Sequence, residues 1–168
     1  MRLSATAFVL ALICAPSFAQ LSTPDPDWRE AEVPAPAPLK TTGLIPFEVE
    51  RATLRYAVDP SSIGVGADRI VRYVVVASSD SGAVNAMYEG IRCNTAEVKL
   101  YARHNPAGGW VRVAGSEWRP LHGSSATRHS LILARTAVCV GHAPNQSAEQ
   151  IARDLASPIN RRFLNEVR

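Results

Sequence analysis

Three cysteines, four histidines and one acid set in an apolar stretch are the side chains whose types and spacing could do chemistry in this 168-residue chain. Cys14 falls in an N-terminal segment read below as a signal peptide, which leaves Cys93 and Cys139. A pair retained in an oxidising compartment reads as a disulfide, with two free buried thiols as the alternative. By the chain-entropy argument, closing so long a loop stabilises by about 4 kcal/mol, a large part of the roughly 5–15 kcal/mol typical of a domain. With both thiols oxidised, a Cys–His nucleophile has no thiolate. None of His104, His122, His129 and His142 stands four residues from another on an expected helix, so neither metal nor cofactor is expected. Gly123-Ser124-Ser125 lacks the second glycine and the preceding strand of a serine nucleophile elbow. Glu89 is the only acid inside a mostly apolar or small-residue strand, which makes it the candidate for a perturbed group. The plainer alternative for it is an ion pair with Arg92 or another arginine. Gly64-Val65-Gly66 is half of a dinucleotide fingerprint but precedes a strand, and is set aside. Asn145-Gln146-Ser147 matches a glycosylation acceptor at a helix cap and reads as coincidence.

The compartment follows from the first residues. Arg2, an apolar run from Ala5 to Ala15, Pro16, and the small residues of Ser17-Phe18-Ala19 read as a signal peptide cut before Gln20. The run is shorter than the roughly 20 apolar residues that span a bilayer, and nothing later in the chain is apolar enough to do so. Lipidation at Cys14 is the alternative, but Ile13 stands where that signal wants a small residue. The expected location is therefore periplasmic or outer-membrane associated. Removal of Arg2 lowers the formal charge from +3 to about +2, so the pI near 9.0 is no argument for nucleic acid.

These residues need elements to hold them. Residues 20–43 read as an unstructured leader, because Val33-Pro34-Ala35-Pro36-Ala37-Pro38 favours extended polyproline II and builds no core. Trp28 either anchors that leader or is a linker residue. From Leu44 the pattern turns to period two, with strands expected over 54–58, 70–77, 83–93, 98–103 and 110–113, an edge segment at 117–120, and a bulge at Gly90. Pro106-Ala107-Gly108-Gly109 marks a hairpin. A helix is expected over 127–139, with Leu131, Ala134 and Val138 on one face and Arg135 interrupting it. A second helix starts at the capping box Ser147-Ala148-Glu149-Gln150 and stops at Pro158. Strands followed by helices predict an α+β domain over 44–158: an antiparallel sheet of five or six strands against one or two C-terminal helices, with a tail at 159–168. Cys93 at a strand end and Cys139 at a helix end would clamp the two layers. By alternation within their strands, Arg55, Lys99, Tyr101, Arg103 and Arg112 face away from the core. Such a basic face would suit an anionic glycolipid or an acidic envelope protein, or is the solvated side of the sheet.

Val58-Asp59-Pro60-Ser61-Ser62-Ile63, Val71-Arg72-Tyr73-Val74-Val75-Val76, Asn85 through Cys93, Trp118-Arg119-Pro120-Leu121 and Ala134-Arg135 with Cys139 resemble the cryptic neisserial protein-like family, small exported proteins of Gram-negative bacteria with no assigned activity. The order Asp-Pro-Ser, strand, Tyr-Glu, Cys, Trp-Arg and late Cys is more remotely similar to the surface-adhesin E family, which implies a sheet packed on helix and joined to it by the disulfide. The expected function is a non-catalytic binding or interaction module of the cell envelope, adhesin-like. The alternatives are a small periplasmic hydrolase using Glu89 and a histidine, and a structural accessory of an envelope assembly.

Overall fold

The computed structural model describes residues 26–157. The expected signal segment with Cys14, the cut before Gln20, Pro158 and the tail lie outside the described residues. The period-two stretches form one antiparallel sheet. Its strands are β1 (Ile45–Phe47), β2 (Arg55–Val58), β3 (Gly64–Val65), β4 (Ile70–Ser78), β5 (Val84–Arg92), β6 (Glu97–Asn105), β7 (Gly109–Arg112) and β8 (Arg119–Pro120). Six run in the continuous order β1-β2-β4-β5-β6-β7, while the two-residue strands β3 and β8 pair with β4 and β6. The centre is the β4–β5 hairpin, in unbroken register from Ile70 opposite Arg92 to Ser78 opposite Val84. Val and Tyr fill β4 because a pleated strand between two neighbours packs branched and aromatic side chains well. Its residues from Ile70 to Ala77 are all buried, so both faces of the sheet are covered.

One face carries the helices. A 3-10 turn at Ser125–Thr127 leads into α1 (Arg128–Leu133), which widens into a π-helical turn over Ala134–Val138, and α2 (Ala148–Ala156) follows. The helix expected at 127–139 is thus in two pieces. The Cys139 N–H closes on the Ala134 carbonyl five residues back. The wider turn leaves Arg135 exposed and buries Ala134, Ala137 and Val138, which resolves the interrupted apolar face. Ser147 caps α2 by accepting the Gln150 N–H at 3.2 Å, and Ile151 and Leu155 are the buried positions of that helix. Helices and sheet share one cluster: Val58, Val71, Tyr73, Val75, Ile91 and Val98 against Leu133, Ala137, Val138, Ile151 and Leu155. Cys93, just past β5, is bonded to Cys139, just past the π turn, with Cα atoms 5.7 Å apart. The α+β class, the antiparallel sheet and the clamp between layers are as the sequence predicts. Cys139–Val140 (β9) and Ala143–Pro144 (β10) add a small antiparallel ladder.

The other face carries the leader. Residues 28–40 hold no helix or strand, in keeping with their prolines, yet they are a strap laid along the sheet and not a free linker. Trp28, Glu30, Val33, Pro36 and Leu39 are half-buried. Val33 and Leu39, with Leu44 and Trp110, pack on a second cluster of Val74, Val76, Ala86, Tyr88, Tyr101 and Ala102. A strap of this composition builds no core of its own, but the sheet supplies one, which is the term that a reading of the segment alone leaves out. No helix among the described residues is long and apolar enough to cross a membrane.

Candidate functional site

Glu89 points from β5 to the helix face. It is 3% exposed, and its carboxylate accepts from the Tyr73 hydroxyl at 3.0 Å and the Ser130 hydroxyl at 3.0 Å. His129 Nε2 lies 3.1 Å from both carboxylate oxygens. Tyr56 stacks on the other side of the imidazole, with ring centroids 5.3 Å apart and planes 9° from parallel. Burial pushes the Glu89 carboxyl up, but hydrogen bonds from His129, Ser130 and Tyr73 outweigh it and hold the group below the ordinary glutamate value. Burial and the neighbouring carboxylate push the Tyr73 phenol well above its usual range. The expected pairing with Arg92 does not form, because Arg92 is three residues on and points to the other face, where its partner is Glu97. Glu89 does sit beside a histidine, as the hydrolase alternative requires. However, the Ser130 hydroxyl is turned to the carboxylate and not to the imidazole. The shallow cleft of about 200 Å³ outside it is lined by Tyr56, Arg128 and His129 but not by Glu89. A buried carboxylate with acceptors satisfied from Tyr73, Ser130 and His129 joins helix to sheet.

The strap face carries a second constellation. Cations and rings alternate in a column: Arg92 lies 4.5 Å from the Trp28 ring centroid and 5.0 Å from that of Trp118. Lys99 follows, 5.7 Å from Trp118 and 5.6 Å from Tyr101, and Arg72 is 5.5 Å from Tyr101 on the next level. Each cation has its own acid. Arg92 pairs with Glu97, Lys99 with Glu30 at 2.9 Å, and Arg72 with Asp68 at 2.6 Å. Burial pushes the Glu30 and Asp68 carboxyls up, yet bonds from Lys99 to the first and from Arg72 to the second leave both below their ordinary values. Burial, with the Glu30 carboxylate beside it, raises the Tyr101 phenol. Glu30 Oε1 and the Tyr101 hydroxyl thus influence one another's ionisation without a hydrogen bond of ordinary geometry between them. The strap supplies Trp28 and Glu30 to this column. It is fixed further by Trp28 Nε1 donating to the Asp68 carbonyl at 3.1 Å and by the Ala31 N–H donating to the Asp68 carboxylate at 2.9 Å.

Of the five residues predicted to share a basic face, Lys99, Tyr101 and Arg112 come together here. They line a cleft of about 480 Å³ between strap and sheet, with Pro34, Pro36, Tyr88 and Trp110. Arg55 lies on the same face but on β2, three strands from β6, paired with Asp80 at 2.7 Å. Arg103 is on the opposite face. The reason is a bulge: Tyr88 pairs with Ala102 and Glu89 with Leu100, so Tyr101 is the extra residue of β6 and the phase inverts after it. The bulge expected at Gly90 is therefore on the neighbouring strand. Gly90 itself pairs regularly with Arg72 and Lys99. It is glycine because the Tyr101 ring lies over it; a Cβ there would be 2.7 Å from Tyr101 Cε2 and 2.8 Å from Ile70 Cγ2. Sequence reasoning missed Glu30, Asp68, Arg72, Trp110 and Trp118 as strap contacts, since each is remote in sequence from its partner. The one available signal is the spacing of Glu30, Val33, Pro36 and Leu39.

Comparison with known proteins adds a family. Neither a curated protein nor a solved structure matches the chain. The model of the CNP1-like family matches residues 23–156, a range that takes in the strap, the sheet and both helices. The chain belongs to the CNP1-like family.

Proposed function

We propose that this protein is a non-catalytic interaction module of the cell envelope, and that it meets a protein partner on the strap face of its sheet. The supporting observation is the cleft of about 480 Å³ between the strap prolines and Tyr88, Tyr101 and Trp110. Aromatic walls with few polar groups are the usual lining of a binding cleft of this size. The acid–base cluster at Glu89 is sealed and saturated, which favours binding over hydrolysis. An anionic glycolipid finds little free charge among these residues: Arg55 and Lys99 are already paired, Arg103 faces away, and Arg112, though exposed, donates to the Val33 carbonyl. The adhesin-like expectation rests on the order of short motifs and agrees with a partner outside the chain. Export by cleavage before Gln20 places the module in the periplasm or at the outer membrane; intact-mass analysis of the exported form should begin at Gln20.

Site-specific photocrosslinking in the native envelope tests the surface. A photoreactive residue in place of Arg112 should give a discrete protein adduct, and the same residue in place of Arg103 should not. Equal adducts from both positions, or none from Arg112, would overturn the assignment. Salt-sensitive binding of the parent to anionic glycolipid vesicles, abolished by Arg112→Gln, would replace the protein partner with a lipid one.

A further inference from the structure

We propose that the strap face is a recognition groove for an extended proline-rich chain, filled in this structure by the protein's own residues 30–39, and that a proline- and alanine-rich segment of an envelope protein takes the same groove in its place. The proposal rests on the reading of this face as the partner surface and names the chemistry of the partner.

The strap itself shows what the groove recognises. Between Glu30 and Leu39, its half-buried residues are Glu30, Val33, Pro36 and Leu39, with every residue between them exposed. A repeat of three is the period of a polyproline II helix, and Pro34, Pro36 and Pro38 favour that conformation. Such a helix makes no internal hydrogen bonds, so its carbonyls are open to donors beside it. Two are used: Trp110 Nε1 donates to the Ala37 carbonyl at 2.9 Å, and Arg112 Nη2 to the Val33 carbonyl at 3.3 Å. Between these donors the floor is Tyr88, Tyr101 and Ala102. An aromatic floor with an indole N–H at its edge is the chemistry by which proline-rich segments are read, because a chain already extended loses little entropy on docking.

Two observations point past the resident strap. The cleft of about 480 Å³ is bounded by Val33, Pro34, Ala35 and Pro36, so the resident strap leaves open space against the sheet and its hold on the groove is incomplete. The strap joins β1 through Thr41, Thr42 and Gly43, all exposed, with Gly43 at φ +69°. A turn of that kind lets the segment leave without disturbing the sheet. The resident strap competes from within the molecule, at an effective concentration on the order of millimolar. A segment in trans therefore binds weakly until the strap is loosened.

The test uses the full mature chain and a fluorescent peptide of residues 30–40, followed by anisotropy. Two variants loosen the strap by different routes: Trp28→Ala removes its anchor, and Pro34→Gly/Pro36→Gly/Pro38→Gly removes its preorganisation. Near-UV dichroism and sedimentation report whether each is folded and monomeric. At least one folded monomeric variant should bind the peptide about tenfold or more tighter than the parent, as an effective-concentration argument requires. Adding Trp110→Ala should abolish that gain, and a peptide with glycine at the three proline positions should not bind. The proposal is overturned if no folded variant binds better than the parent, if the glycine peptide binds equally well, or if the loosened chains exchange straps into dimers and refuse the peptide. If the peptide binds but position 112 yields no adduct in the envelope, the groove stands and the envelope role falls. An adduct without peptide binding leaves the role and removes the groove.

Discussion

A carboxylate as deeply buried as that of Glu89 is held by three side chains from two layers, Tyr73 on the sheet and His129 and Ser130 on the helix. Glu89→Ala strands those donors and opens a hole, and removal of one partner of a buried pair typically costs about 3–5 kcal/mol. Glu89→Gln keeps the volume but sets an amide N–H₂ against donors, for about 1–3 kcal/mol. Urea unfolding should rank the two in that order. The pH dependence follows from the lowered carboxyl. With a folded value below the unfolded one, which lies near 4.3, the contribution of Glu89 is present above the unfolded value and lost as pH falls through the folded one. The thermal midpoint of the parent should therefore fall below about pH 4 more steeply than that of Glu89→Gln. Glu30, Asp68 and Glu97 are lowered too, so the variant keeps a residual slope. Parallel curves would show that the cluster does not contribute as described. Glu89 is legible in the sequence as an acid among apolar neighbours. His129 is not, because the contact spans 40 residues and depends on how the helix is docked on the sheet.

The elements were easier to read than their phases. Strands β2 and β4 to β7, the hairpin at Pro106 to Gly109 and the capped helix α2 follow from period, turn residues and a capping serine, all local. The bulge at Tyr101 is not local. It exists because the Tyr101 ring must lie over Gly90 to join the column with Lys99 and Arg72, and it moves Arg103 to the other face. Gly90→Ala should lift that ring and cost about 1–3 kcal/mol as an overpacking change, with loss of strap protection in hydrogen exchange. A neutral effect on both would mean that the ring has another place to go. The disulfide acts at the same scale. It spans 46 positions and ties the end of β5 to the end of the π turn. Reduction under native conditions should lower stability by up to about 4 kcal/mol, read as a shift in urea midpoint; an unchanged midpoint would show that packing alone holds helix to sheet.

On the scale of the molecule the sheet is a middle layer, with helices on one side and a strap without secondary structure on the other. The alternation of proline and alanine predicts extended chain and, taken alone, a free one. What reverses the second half of that reading is a surface assembled from β4 to β8, which no local pattern in residues 20–43 announces. Trp28 is the point where the two meet. Its indole bond to the Asp68 carbonyl is worth about 1 kcal/mol, its edge contact with Trp118 about 0.5–1.5 kcal/mol, and the Arg92 stack about 0.5–1 kcal/mol. Trp28→Ala should thus make opening of the strap about 2–3 kcal/mol easier, which at 1.4 kcal/mol per decade is a factor of roughly 30–150. Opening is read by proteolysis when reclosing outruns cleavage. Trypsin should then cut after Arg29 and Lys40, at the two ends of the strap, faster by that factor in the variant, while the rate after Arg72 in β4 changes far less. Such a split is the mark of a unit that opens on its own below the global transition. If the rate after Arg72 rises as much as that after Arg29, strap and sheet unfold together, and no groove is ever exposed without loss of the fold.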